Sequence, residues 1–138
     1  MLVAGCGALH VTPEPATPTD FPGLAGRFDK ASIHVSDWVS GDAGCTNGDL
    51  VPTAISFMAS GLDQVEPVKV YLYIFRDHAA FDRHRDEIGA CAQSYVTDPQ
   101  SYEEIEQSPY IVAGQGPWGT QFEAAVRATL ESGAGPQG

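Results

Sequence analysis

The sequence predicts an α+β (or small α/β) fold: a two-layer domain with a short mixed sheet of three to four strands and two to three helices. The first observation behind this is the ribbon Val68–Phe75, which is apolar on both alternating faces after Lys69. The second is the stretch that follows, to Tyr95, where the apolar residues change to helical spacing. The third is the order of patterns along the chain: strand, helix or strand, strand, helix, strand, helix.

Taken in order, Lys30–Val39 alternates Ile33 and Val35 against His34 and Ser36, a strand with one solvated face and Trp38 near its end. Ser40–Gly48 is a loop by composition. Asp49–Ser60 fits two periodicities. Val51, Ala54, Ile55 and Met58 suit a helix capped by Asp49 and closed by Gly61, whereas Ile55, Phe57 and Ala59 suit a strand turning back, antiparallel, onto Val68–Phe75. The helical pattern is the expectation adopted, and crossovers would then make much of the sheet parallel.

In the central ribbon Val70, Leu72 and Ile74 take one face and Tyr71, Tyr73 and Phe75 the other. Asp77 is placed to cap the next helix, whose buried stripe is Phe81, Ile88, Ala92 and Tyr95. Arg83, Asp86 and Glu87 lie on its solvated side, and Gly89 weakens it by about 1 kcal/mol relative to Ala. Thr97-Asp98-Pro99 breaks the chain, and Tyr110–Ala113 is a further buried strand that Pro109 limits. The last helix, Gln121–Glu131, carries a Thr120/Glu123 capping box and a stripe of Phe122, Val126, Thr129 and Leu130, and Gly133 ends it. The domain boundaries expected are a signal-peptide remnant and Pro/Thr-rich tether over 1–26, a globular unit over 27–133 and a disordered tail over 134–138.

Charge excludes one class of partner. The 138 residues carry 18 acidic against 7 basic side chains, a formal charge of −11, with no basic cluster, so nucleic acid has no electrostatic footprint to meet. Gly114-Gln115-Gly116-Pro117-Trp118-Gly119 spells a dinucleotide fingerprint, but the acidic residue that should follow on a later strand has no place in this sequence. Pro117 also lacks an N–H for a phosphate. The segment reads as a tight turn with Trp118 packed on the core, and no cofactor is expected.

Chemistry-bearing side chains are few. His78 and His84 are about 120° apart around one helix, so they do not face one ion. His84 shares a face with Cys91, two turns on; packing is the reading adopted for it, and His78 with Asp82 has the spacing of an exposed ion pair. Glu104 and Glu106 share a face in an alternating strand, where two carboxylates could bind a cation or split their pKa values; a solvated edge is the plainer reading. A small hydrolase or metal-dependent enzyme using His78, His84 or the Glu103–Glu106 group is therefore the minority alternative, and no catalytic or metal residue is assigned. For ligand binding the candidates are aromatic. Tyr71, Tyr73, Trp38 and Trp118 would line one face of the sheet if helices cover only the other, and are core if both are covered.

Leu2-Val3-Ala4-Gly5-Cys6 matches a bacterial lipobox, with Cys6 as the residue to be lipidated, and His10–Gly26 is a Pro/Thr-rich stretch suited to a stalk. A leader needs an apolar run of about 7–15 residues, so this reading expects coding sequence upstream of Met1. Setting Cys6 aside, Cys45 and Cys91 are an even remainder: a disulfide if the protein is exported, two buried thiols if it is not. With the body ending in SPYIVAGQGPWG, the whole layout resembles small lipoproteins of high-GC bacteria. That resemblance implies a domain lipid-anchored to the membrane or secreted, outside the cytoplasm, which binds a small ligand or an envelope protein.

Overall fold

The computed structural model describes residues 18–135. Its elements are α1 (Phe21–Lys30), β1 (His34–Ser40), β2 (Ala54–Gly61), β3 (Gln64–Ile74), α2 (His78–His84), α3 (Glu87–Ala92), β4 (Tyr102–Gln107), β5 (Tyr110–Gln115) and α4 (Thr120–Ala134). The five strands form one sheet in the order β1-β2-β3-β5-β4, every neighbouring pair antiparallel. The α+β class holds, but the sheet has five strands, four helices accompany it among the described residues, and no pair in the sheet is parallel.

The central ribbon is where its composition demands. β3 lies between β2 and β5, with Leu72 opposite Ile55 on one side and Val112 on the other. Both of its faces are covered, so the expected two layers become three. One core joins Leu24 and Phe28 of α1 and Phe122, Val126 and Leu130 of α4 to Phe57, Val70, Leu72 and Val112 of the sheet. On the opposite face Tyr71, Tyr73, Phe75 and Ile111 pack under Phe81, Ile88 and Cys91 of α2 and α3, with Ala43 and Leu50 from the β1–β2 loop. Each large core side chain removed from water contributes about 1.5–3 kcal/mol, so two apolar cores on one thin sheet make that sheet the stability centre.

Several expectations are corrected. The segment 49–60 is not a helix: Val51–Thr53 forms one 3-10 turn, and Ala54–Gly61 is strand β2, hairpinned to β3. Pairing on both sides satisfies the β2 backbone, and its alternation sends Ile55, Phe57 and Ala59 to the α1/α4 core. The tether expected through Gly26 gives way to α1, capped by Asp20 with Pro22 in its first turn, because Leu24 and Phe28 have a core to enter. Tyr102–Gln107, where Glu104 and Glu106 alternate as a strand places them, is edge strand β4. The single helix after Asp77 is two short ones, although Asp77 does cap the first by accepting the Ala80 N–H at 2.8 Å.

The last helix also begins differently. The Thr120/Glu123 box does not form; Asp63, in the β2–β3 turn, accepts the N–H groups of Gln121 and Phe122, both at 2.9 Å. The helix runs to Ala134, which is buried, so the tail expected from that residue does not begin there; residues 136–138 lie outside the described residues. The turn reading holds for 116–119, whereas Gly114 and Gln115 complete β5. A Cβ on Gly114 would lie 2.8 Å from the Lys69 carbonyl oxygen of β3, and Trp118 packs edge-on to Phe122.

Candidate functional site

The four aromatic residues proposed to share a surface do not. Tyr73 is 0% exposed and Tyr71 is buried beside it on the α2/α3 face, whereas Trp118 is buried in the α1/α4 core. Trp38 is 58% exposed on the edge strand β1, where its ring meets Phe21 at 6.0 Å. Helices on both faces make three of the four rings core. Cys6 lies outside the described residues.

Cys45 and Cys91 are at bonding distance, with an S–S separation of 1.99 Å and Cα atoms 5.3 Å apart. The bond ties the β1–β2 loop to α3. The same loop is held from below: the Tyr73 hydroxyl donates to the Ala43 carbonyl at 2.8 Å, and Tyr71 and Tyr95 stack at 4.0 Å beneath Gly44. A side chain at Gly44 would strike Tyr95, so only glycine permits that approach. Asp42 accepts the hydroxyl of the fully buried Ser56 at 2.7 Å and the Gly44 N–H at 3.0 Å. Burial raises the Asp42 pKa, but these donors and Lys69 at 3.5 Å outweigh it and hold the carboxyl below its ordinary value. Desolvation pushes the Tyr95 hydroxyl up to about 12 and drives Tyr73 higher still, so these tyrosines act as neutral hydrogen-bonding packing.

Fixing the loop brings three potential ligand groups together. Asp49 lies in this loop, and His84 and Glu87 lie one turn apart across the α2–α3 joint; one donor atom from each falls within 4.8 Å of the others. His84 Nδ1 is 2.7 Å from Glu87 Oε2, and the imidazole stacks on Phe75 at 6.2 Å with 9° between planes. Asn47 Nδ2 donates to Glu87 Oε1 at 2.8 Å, while Asn47 Oδ1 accepts the Asp49 N–H at 2.8 Å. The contact with His84, then that with Asn47, holds the Glu87 carboxyl below its ordinary pKa. A groove of about 370 Å³ borders the cluster, lined by Asp49, Thr53, Phe75, Arg76, Arg83 and His84 among others.

The other expected combinations do not assemble. Cys91 is in the disulfide and does not join His84 as a ligand. His78 Nδ1 meets the Ser108 hydroxyl rather than Asp82. Glu104 and Glu106 do share a face, opposite Ala113 and Ile111, so they look toward α2 and α3. There Arg85 approaches Glu106 at 3.4 Å and the Tyr102 hydroxyl donates to Glu104 at 2.6 Å. Desolvation, then the adjacent Glu106 carboxyl, raises the Glu104 pKa. Glu103 points the other way and accepts the Trp118 N–H at 3.3 Å.

Sequence reasoning passed over Asp49 and Glu87 as ligand candidates. The His84/Glu87 spacing of i,i+3 was a usable signal; the loop residue was not, because nothing in the linear order places position 49 beside position 84. Among the described residues no helix is long and apolar enough to cross a membrane. No family model, curated protein or solved structure matches this chain.

Proposed function

We propose that the protein is an extracytoplasmic, lipid-anchored binding or accessory domain. The observation that carries this reading is the pairing of Cys45 with Cys91. Disulfides that serve structure persist in oxidising compartments and are rare in the cytosol, and this one sits in the core face rather than in a redox motif. The lipobox-like LVAGC and the part of the Pro/Thr stretch ahead of α1 supply the expected anchor at Cys6 and the stalk. The binding surface is the α2/α3 side. It holds the groove beside His84 and an apolar hollow of about 220 Å³ lined by Gly89, Ala92, Gln93, Val96, Pro99 and Tyr102. Both are small, which suits a small ligand or one side chain of an envelope partner.

The test is to express the gene in a high-GC bacterial host together with the DNA upstream of Met1. The protein is then fractionated, the N-terminal peptide weighed, and free thiols trapped before lysis. Membrane-associated protein with a diacylated Cys6 peptide and no alkylation at Cys45 or Cys91 is the expected result. Cytosolic protein with both thiols alkylated would overturn the reading.

A further inference from the structure

We infer that Asp49, His84 and Glu87 form a binding site for a divalent transition-metal ion of the zinc class. Three features carry the inference. First, the donor set is one imidazole and two carboxylates, each offering an atom within 4.8 Å of the other two. That mixture suits zinc and its neighbours, whereas calcium and magnesium favour oxygen donors throughout and copper(I) favours sulfur. A cation seated there would be held by His84 Nδ1 and Glu87 Oε2, which now lie 2.7 Å apart.

Second, the donors are oriented by groups that are not ligands. Asn47 engages Glu87 through Oε1, which leaves Oε2 turned to His84, and its own oxygen accepts from the Asp49 and Leu50 N–H groups at 2.8 and 3.3 Å. One amide thus sets both the helix carboxylate and the backbone that presents Asp49. Phe75 restrains the imidazole by stacking. An outer set of this kind governs metal affinity nearly as strongly as the ligands.

Third, the two halves of the site are fastened covalently. Cys91 is one turn beyond Glu87 on α3, and Cys45 is two residues before Asn47, so the disulfide fixes the distance between the loop donor and the helix donors. Three protein donors leave a position for water, reached through the groove that Asp49 and His84 border. The site stands apart from the question of compartment, because purified protein suffices to test it.

Untagged, oxidised protein is titrated with zinc chloride by calorimetry, and separately with cobalt(II), whose visible absorption reports coordination. Saturable binding of one ion per chain and a rise in Tm with zinc concentration are expected. Asp49→Asn, at an exposed position, and His84→Asn should each abolish the cobalt spectrum and the tight zinc binding. Asn47→Ala should weaken zinc binding by about 10- to 100-fold. His78→Ala, which removes an imidazole elsewhere on the same helix, should change nothing. Absence of saturable binding by the wild type overturns the inference, as does binding that survives in the Asp49→Asn and His84→Asn variants. Circular dichroism of each variant separates loss of a ligand from loss of the fold.

Discussion

The carboxylate of Asp63 accepts the backbone N–H of Phe122 at 2.9 Å, across 59 residues of sequence. A side chain in the β2–β3 turn thereby supplies the cap that the last helix lacks in its own preceding residues, since Gly119 has no side chain to offer. The anchoring of α4 is therefore a tertiary property.

Its pH dependence follows from the same contact. The N–H groups of Gln121 and Phe122 hold the Asp63 pKa below its ordinary value, so the carboxylate is favoured in the folded state. Stability from it is complete above the ordinary carboxylate pKa and is lost as pH falls through the lowered one. Asp63→Asn should lower the urea midpoint at neutral pH, and the gap from wild type should close as both are titrated into the acid range.

Glu104 has the opposite sign. Its pKa is raised, by desolvation first, so the folded state favours the protonated acid and is destabilised as pH rises through that raised value. Glu104→Gln stays neutral and can still accept from Tyr102. It should unfold at higher urea than wild type near neutral pH and match it below the ordinary carboxylate pKa.

Removing the disulfide as Cys45→Ala/Cys91→Ala releases a link between positions 46 residues apart. The expected loss is about 4 kcal/mol from loop-closure entropy, read as the difference in unfolding free energy by chemical denaturation. Hydrogen exchange should rise first in the 41–50 loop and in α3.

Tyr73→Phe deletes the hydroxyl that meets the Ala43 carbonyl at 2.8 Å in a site closed to water. Leaving that carbonyl without its donor should cost about 1–3 kcal/mol, measured in the same way. Because the ring remains, the sheet core is undisturbed and the loss reports on the loop.

Much of this architecture was legible where a local pattern and the final environment agree. Val68–Phe75 is apolar on both sides and is covered on both sides; Asp77 caps the helix it precedes; Trp118 folds onto the core from the 116–119 turn. The misread elements are those that partners decide. Ala54–Gly61 satisfies a helical stripe as well as a strand, and only pairing with β1 and β3 settles it. Tyr102–Gln107 alternates as a strand but carries three carboxylates; β5 gives it a full ladder, Ile105 enters one core, and Glu104 and Glu106 face Tyr102 and Arg85. At the candidate site the helical pair His84 and Glu87 was within reach of spacing rules, whereas Asp49 arrives through the loop that Cys45 fastens.

The Thr19 N–H donates to the Gly133 carbonyl at 2.9 Å, and the Tyr110 hydroxyl donates to both the Thr19 and Gly133 carbonyls, at 2.7 and 2.9 Å. The polypeptide therefore comes into and leaves the described body at one spot, on the α1/α4 face, with the His84 groove on the reverse. Such a layout lends itself to splicing as a cassette into a surface loop of a carrier protein. The His84 side would then be presented outward, away from the seam.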